Sequence, residues 1–394
     1  MEFNSKIRVE DEIILCCART SLDLETKDKL LSLIENEINW TYLLEKTSKN
    51  RLLPLLYFQI NSVCPQKVPK DVLNNLKDDF DENLHKNLLL TGELIKILNL
   101  FQSKEISAVP YKGPVLAVSA YGNLGLRVFD DLDIFIQETD IGKVKELLNS
   151  KGYEMDSSNV GDLNYIKSQR EYHFINSDSG VQIEIKWKLS GISFSFKTDI
   201  RYLYDPKSFE HVKISNTDIL SFSREDLLLI LCIHNAGHRF QYLQWICDVA
   251  ELICSNNMNW DKIMDKAGKL GIKRMLFINL LLANDLLDVK IPRDILEEIN
   301  KDKHSKSISN KLKDDFFSKN NGEPGLLEYS IFHIKIRENL RNGLMDFILH
   351  VFAPSDEDLA EIRLPGYLFP LYYIVRPILL LKRQSWGIFK SKPL

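Results

Sequence analysis

Apolar residues recur at helical spacing through the first hundred residues of the chain. Short runs around Trp40 and Pro54 predict short helices, with the proline in a first turn or at a kink. A longer stripe, repeating every three to four residues, predicts one helix from about Val72 to Phe101. Its members are Leu84, Leu88, Leu94, Ile97, Leu98 and Phe101. We therefore expect residues 1–104 to form an N-terminal helical region.

The pattern changes after Ile106, where short alternating runs predict strands separated by turns and short helices. The predicted strands lie in SAVPYKG and over Asp131–Gln137, Glu171–Ile175 and Val181–Trp187. The predicted helices are Pro114–Ala120 and Asp140–Lys151. The last two strands flank NSDSG, which is typical of a hairpin loop. We expect residues 105–205 to form a small mixed α/β core.

Helical periodicity returns at Arg224, after a Ser-x-x-Asp sequence that resembles a capping box. The polar, lysine-rich stretch Lys301–Gly325 predicts a mobile loop. Residues 206–394 are expected to form a C-terminal helical region. The order of helices, a small mixed sheet and more helices predicts an α+β fold.

The strongest candidate chemistry is carried by three acids on predicted strands. Asp131 and Asp133 are two residues apart, so their side chains point to the same face of a strand. Glu184 lies on the polar face of VQIEIKW. Carboxylates held on rigid strands suit Mg2+, which also takes substrate phosphates. The alternative is that these acids are ordinary residues of a half-exposed strand.

A turn upstream of the acids offers candidate phosphate contacts. Gly113 allows close approach of the backbone, Lys112 supplies a point charge, and Arg127 supplies a planar fork for triphosphate oxygens. The alternative is a simple strand-to-helix turn, with Arg127 paired to Asp130 or Asp131. Walker A, GxGxxG and GxSxG patterns are absent from the sequence.

Two histidines lie four residues apart on a predicted helix. His234 and His238 would share one face, with Trp245 and Asp248 further along. Three roles stay open: contact with a base or other substrate group, a polar structural network with Asp248, or a zinc site. The zinc site lacks both the HExxH glutamate and an obvious third ligand.

Composition narrows the range of partners. A net charge of −4 argues against a nucleic-acid partner. Six cysteines without CxxC spacing are expected to be reduced thiols, and no segment reads as a signal peptide or a transmembrane helix. We therefore expect a cytoplasmic protein.

The apolar and basic C-terminal segment YLFPLYYIVRPILLLKRQSWGIFK suits either a buried helix or peripheral membrane contact.

Four stretches together resemble the uncharacterised bacterial nucleotidyltransferases of the polymerase-β-like superfamily. They are NWTYLLEKTSKNRLLPLLY, VPYKGPVLAVSAYGNLGLRVFDDLDIFI, VQIEIKW and HNAGHRFQYLQWICDVAELI. The first three are similar to the family's N-terminal helices, its Lys-Gly and Asp-x-Asp signature, and its third-acid strand. The fourth is similar to its histidine-containing helix. The likeness covers roughly residues 30–255.

The resemblance implies a Mg2+-dependent nucleotidyltransferase that moves a nucleoside monophosphate from an NTP, expected to be ATP, and releases pyrophosphate. Asp131, Asp133 and Glu184 would hold two Mg2+ ions, while Lys112 and Gly113 would form the phosphate turn. The chain departs from the family at the third acid, which is Glu rather than Asp.

It departs again at Lys186, which stands where His is usual and would lower the pKa of Glu184 or contact a phosphate. The resemblance favours a small-molecule or peptide acceptor from biosynthesis. The alternative is a catalytically silent protein that keeps the fold for nucleotide binding or assembly.

Overall fold

The computed structural model describes residues 7–155, 171–188, 203–255, 257–317, 326–354, 358, 361–362 and 364–390. Five helices precede the sheet in this part of the chain. They are α1 (Val9–Cys17), α2 (Leu24–Leu33), α3 (Trp40–Lys49), α4 (Leu53–Val63) and α5 (Lys70–Gln102). Pro54 lies in the first turn of α4, where its missing N–H is harmless. The predicted N-terminal helices are confirmed.

Helix α5 follows its predicted apolar stripe with one exception. Leu94, Ile97 and Phe101 are buried, but Leu88 is 52% exposed. The buried position on that turn is Asn87, whose Nδ2 donates to the carbonyls of Leu124 and Arg127. The prediction that Leu88 belongs to the core was wrong, because the buried face of the helix at this level is formed by Asn87, Leu90 and Thr91.

Five strands form one mixed sheet in the order β1-β2-β5-β4-β3. The strands are β1 (Ala108–Pro110), β2 (Asp131–Ile136), β3 (Tyr153–Met155), β4 (Glu171–Asn176) and β5 (Gln182–Lys186). β2 runs parallel to β5, whereas β1 and β2, β5 and β4, and β4 and β3 pair antiparallel. The predicted hairpin is therefore formed by β4 and β5.

Two short helices belong to this core, α6 (Gly113–Ser119) and α7 (Ile141–Asn149). One face of the sheet is apolar and is covered by α5 and α7. Its buried members include Leu132, Ile134, Phe174, Ile183 and Ile185. Because side chains alternate along a strand, the polar residues of β2 and β5 lie on the other face.

A second sheet of two strands, β6 (Glu210–Ile214) and β7 (Thr217–Ser221), follows the core. Its tight turn contains Ser215 with a φ of +53°. The sequence patterns used above did not predict this hairpin. Its alternation, HVKISNTDILS, is the signal that identifies it.

The described chain from Arg224 onward is helical, as predicted, but the predicted helical region 206–394 was wrong over its first part, which forms β6 and β7. The helices are α8 (Arg224–Gly237), α9 (Leu243–Cys254), α10 (Trp260–Leu270), α11 (Lys273–Leu287), α12 (Arg293–Lys301), α13 (Lys303–Phe317), α14 (Leu326–Lys335), α15 (Leu340–Phe352) and α16 (Tyr372–Lys390). The structure thus has the predicted α+β class, with a mixed sheet between helical regions.

The loop predicted over Lys301–Gly325 was wrong for the residues that the structure describes. Helix α13 occupies Lys303–Phe317, and residues 318–325 lie outside the described chain. Ile308, Leu312 and Phe316 are spaced four residues apart and are buried. This narrow apolar stripe stabilises a helix despite the lysine-rich composition.

No helix among the described residues is long and apolar enough to cross a membrane. The six cysteines are free thiols, of which Cys254 is exposed. Helix α16 exposes an apolar face rather than burying all of it. Its exposed apolar side chains are Tyr373, Ile374, Ile378 and Leu381, and Tyr367 and Leu371 are exposed just before the helix begins.

Candidate active site

Three carboxylates meet on the polar face of the sheet. Asp131 and Asp133 lie on β2, and Glu184 lies directly opposite Asp133 on β5. Buried Leu132 and Ile134 alternate with the aspartates and hold the strand against the core. Within the described chain, one oxygen of each acid lies within 4.8 Å of the others. The structure therefore brings together the three acids that the sequence singled out.

The two aspartates differ in charge environment. Burial raises the pKa of Asp131, and the neighbouring charge of Asp133 raises it further. Asp133 is 4% exposed, and burial would raise its pKa as well. The positive charges of Lys112 and Lys186 outweigh burial and hold the pKa of Asp133 well below its usual range. Asp133 is thus the carboxylate kept charged by fixed cations.

Lys186 extends from β5 into the acid cluster. Its Nζ lies 2.6 Å from Glu184 Oε2, 3.0 Å from Glu171 Oε2 and 3.2 Å from Asp133 Oδ1. Burial alone would lower the pKa of Lys186, but these carboxylates raise it well above its usual value. Lys186 is therefore a permanent positive charge among the acids.

Glu171 and His173 on β4 complete this group, and neither was singled out from the sequence. Register places Glu171 opposite Lys186 and His173 opposite Glu184. His173 Nδ1 lies 3.3 Å from Glu184 Oε1. Burial would raise the pKa of Glu171, but Lys186 and His173 lower it to about 2. The sequence signal that could have found Glu171 and His173 is the alternation of polar and apolar residues along β4, which is the same signal that identified Glu184 on β5.

The glycine turn lies beside the acids, as expected. Gly113 has a φ of +50°, a left-handed conformation that favours glycine. A Cβ at this position would also lie 3.4 Å from the carbonyl oxygen of Asp131. Lys112 Nζ lies 3.6 Å from Asp133 Oδ1. Since α6 has only seven residues, the turn's attraction for phosphate would depend mainly on the charge of Lys112.

Arg127 has a partner that the sequence did not indicate. Its Nε and Nη2 donate to the two carboxylate oxygens of Asp248, at 2.8 and 2.9 Å. Tyr121 donates to the same carboxylate at 2.7 Å. Neither of the predicted pairings, with Asp130 or with Asp131, occurs. The two donors that would have formed a fork for phosphate oxygens are engaged by Asp248 on α9.

His234 and His238 lie at the C-terminal end of α8. Each imidazole contacts the indole of Trp245, with ring centroids 4.8 and 5.5 Å apart. Lys112 Nζ lies 3.2 Å from His234 Nδ1, which suits a lysine donor and a neutral imidazole acceptor. Asp248 bonds to Arg127 and Tyr121 rather than to either histidine, so the predicted network with Asp248 was wrong.

Both histidines are held neutral. Burial lowers the pKa of His234 well below its usual value, and nearby Lys112 lowers it further. The same two causes lower the pKa of His238 to about 4. Among the described residues, the histidines belong to no group of three metal ligands, so the structure gives no support to a zinc site.

The four acids, the two lysines, Gly113, Arg127, Asp248 and the three histidines line one cavity of about 340 Å³. We call the part lined by the acids and Lys186 its floor and the part lined by His234, His238 and Trp245 its wall. Lys112 and Gly113 lie between the two, since Lys112 Nζ contacts both Asp133 and His234. At the rim, Arg51 and Lys86 both form ion pairs with Asp130. The cavity is therefore a polar pocket with acids on its floor and cations around them.

A mixed sheet that presents paired acids beside a lysine-glycine turn, under a helical wall, is typical of nucleotidyltransferases. The chain belongs to the family described as uncharacterised nucleotidyltransferases, whose model matches residues 36–288. The match spans the sheet, the acid cluster and the helices that carry His234 and Asp248. It confirms the resemblance found in the sequence and makes the protein a nucleotidyltransferase.

Two solved structures are among those similar to the chain. A lincomycin-bound lincosamide antibiotic adenylyltransferase, LnuA, is 18% identical with a TM-score of 0.29, over 42% of this chain and 97% of its own. An antigenic nucleotidyltransferase-like protein from Paracoccidioides brasiliensis is 16% identical with a TM-score of 0.29, over 53% of this chain and 94% of its own. These values are too low to assign a substrate. No curated protein sequence matches the chain.

The buried pair of Arg127 and Asp248 predicts a large effect on stability. Asp248→Asn removes the charge that compensates a guanidinium with 4% exposure. We expect the free energy of unfolding to fall by about 3–5 kcal/mol, measured by urea denaturation. Asp81→Asn, in the exposed Lys77–Asp81 pair on α5, is the control and should leave the midpoint unchanged. An equally small effect of Asp248→Asn would contradict the structure.

The neutral histidines predict a pH dependence of stability. Because the pKa of His238 is about 4 in the folded chain and near 6.5 when unfolded, the unfolded chain binds an extra proton between these values. Stability should therefore fall as pH falls from 6.5 to 4. Because the His238 side chain is partly exposed, solvent screening makes its contribution smaller than the full pKa difference would give.

Thermal unfolding of His238→Gln across this range should show a smaller loss than the wild type. His85→Gln, at an exposed position on α5, is the matched control. Parallel wild-type and His238→Gln curves would mean that His238 titrates normally in the folded protein.

Proposed function

We propose that this protein transfers a nucleoside monophosphate from an NTP to an acceptor hydroxyl or similar nucleophile and releases pyrophosphate. ATP is the expected donor. The observation that carries the proposal is the convergence of Asp131, Asp133 and Glu184 beside Lys112 in one cavity. Acids that bind a divalent cation, next to a lysine that attracts phosphate, are the groups that nucleotidyl transfer needs.

The donor set fits Mg2+. Its members are carboxylate oxygens on rigid strands, and Mg2+ prefers oxygen ligands and keeps room for substrate phosphates. Asp131 and Asp133 would hold the ion, with Glu184 beside them. When bound, it would neutralise developing charge on the triphosphate and favour ionisation of the attacking hydroxyl. The acids, fixed by the pairing of β2 with β5, need little reorganisation to receive it.

The proposed reaction is a displacement at the α-phosphorus. A bond forms between the acceptor oxygen and this phosphorus, while the bond to the bridging oxygen of the β-phosphate breaks. The electron pair and negative charge leave with pyrophosphate. A carboxylate of the cluster accepts the proton of the acceptor.

The cations around the acids would bind and orient the triphosphate. Lys112 contributes a direct charge at the turn, where Gly113 allows the backbone to come close. Arg127 lines the cavity but is engaged by Asp248, so its contribution is to the local field rather than a bidentate contact. Lys186 contributes a second fixed charge at the floor.

His234, His238 and Trp245 form the wall that would contact the base or the acceptor. Two neutral imidazoles and an indole present hydrogen-bonding nitrogens and aromatic edges without added charge. Such a wall suits a heterocycle or an uncharged acceptor group. A small-molecule or peptide acceptor and a cytoplasmic location are part of this proposal, and the net charge of −4 disfavours a nucleic acid.

The proposal predicts loss of turnover when the paired aspartates lose their charge. Each NTP, radiolabelled on the α-phosphate, is incubated with protein, Mg2+ and a panel of candidate acceptors. The wild type should form labelled product and pyrophosphate, and Asp131→Asn/Asp133→Asn should lower the rate by at least about a thousandfold. Asp178→Asn, in the turn between β4 and β5, is the control.

Turnover that survives the double substitution would disprove the proposed role of the aspartates. NTP binding by calorimetry with no pyrophosphate release over a broad acceptor panel would instead favour the silent nucleotide-binding protein. The departure that motivates this second candidate is Lys186 inside the acid cluster, where its charge competes with a metal ion.

Peripheral membrane contact through α16 is a separate proposal, supported by its exposed apolar side chains. Ile374 and Ile378 are 65% and 63% exposed and lie one helical turn apart. We expect the protein to co-sediment with liposomes and Ile374→Ser/Ile378→Ser to sediment less. Leu24→Ser, at an exposed position on α2, is the control. Equal sedimentation of all three proteins would contradict membrane contact through this helix.

A further inference from the structure

The acid cluster has few carboxylate oxygens left for metal ions. Both oxygens of Glu184 are engaged, Oε1 by His173 at 3.3 Å and Oε2 by Lys186 at 2.6 Å. Asp133 Oδ1 is also engaged, by Lys186 at 3.2 Å, by Lys112 at 3.6 Å and by the hydroxyl of Tyr111 at 3.2 Å. A second metal ion between Asp133 and Glu184 would have to displace the ammonium group.

The oxygens that stay available belong to the two aspartates. Among the described residues, Asp131 forms no ion pair, and the closest contacts of Asp133 with Lys112 and Lys186 are made by Oδ1. One divalent cation bound by Asp131 and Asp133 Oδ2 would keep its remaining positions for substrate phosphates and water. This matches the preference of Mg2+ for one or two carboxylates plus phosphates.

Charge balance points the same way. The cluster contains four carboxylates, those of Asp131, Asp133, Glu171 and Glu184, and two lysines, Lys112 and Lys186. The excess is two negative charges, which one divalent ion neutralises. In the site without nucleotide, a second divalent ion beside Lys186 would leave an excess of positive charge in a largely buried space.

From this geometry we infer that Lys186 takes the place of one of the two metal ions, and that the site works with a single divalent cation on Asp131 and Asp133. This inference rests on the proposed function. Glu184 then acts through Lys186, whose ammonium group it fixes over the floor of the cavity. Lys186 would be a built-in cation that faces the triphosphate or the attacking nucleophile.

The test counts Mn2+ ions by electron paramagnetic resonance of free Mn2+ during a titration. The protein is saturated with an ATP analogue in which CH2 replaces the oxygen between the α- and β-phosphates, so that no transfer occurs. The wild type should bind one Mn2+ per complex. Lys186→Met removes the charge but keeps the side-chain length, and should raise the number to two.

Three further variants separate charge from structure. Lys186→Arg keeps the positive charge and should bind one ion. Glu184→Gln should also bind one ion with an affinity within about threefold of wild type, whereas Asp131→Asn should weaken it by at least about tenfold. Lys188→Met, two residues beyond Lys186 and outside the cavity, is the matched control and should bind one ion.

Two ions in the wild type, or none while the analogue binds, would overturn the inference. One ion in a folded Lys186→Met would also overturn it, because Lys186 would then not exclude the second ion. If Lys186→Met does not fold, the wild-type and Glu184→Gln counts decide the question. Failure of the wild type to bind the analogue at all would instead contradict the proposed function.

Discussion

The site depends on the compensation of buried negative charge. Four carboxylates point into one small, largely buried space, and isolated charges there would be strongly unfavourable. Lys112 from the turn and Lys186 from β5 compensate part of this charge. Each lysine thereby fixes the element that carries it. The turn, the paired aspartates and the third acid are held in their relative positions by the ion pairs of Lys112 with Asp133 and of Lys186 with Asp133 and Glu184.

The same constraint links the sheet to the C-terminal helices. Arg127 leads into β2 and is bound at both donors by Asp248 on α9, while Lys112 reaches His234 on α8. These contacts join residues more than a hundred positions apart. The family model covers both partners of each contact. The helices α8 and α9 therefore form part of the candidate active site rather than an independent appendage.

Local periodicity is enough to predict much of this protein. The period of two on β2 and β5 placed Asp131, Asp133 and Glu184 on one face, and the structure brings them together. Helical periodicity likewise predicted α5 over nearly its full length. The periodicity of strands and helices depends on residues that are close together in the sequence, so it can be recognised from a single sequence.

Tertiary partners are a different matter. The partner of Arg127 is 121 residues away, and the aspartates adjacent in sequence were more obvious but incorrect candidates. Glu171 joins the site only through strand register, and Leu88 is exposed because that turn of α5 buries Asn87 against the carbonyls of Leu124 and Arg127 instead. Helix α13 is stabilised by three apolar residues that pack into the core. The polar composition of this stretch does not indicate that packing. Each of these four features depends on contacts with residues that are distant in the sequence.

The most direct test of the account is an anomalous diffraction experiment on crystals grown with Mn2+ and the non-reacting ATP analogue. The account predicts the triphosphate beside Lys112 and Gly113, with a manganese peak on Asp131 and Asp133 and the ammonium group of Lys186 against Glu184. A nucleotide bound elsewhere, or density for the analogue in this cavity with no metal on the two aspartates, would contradict it.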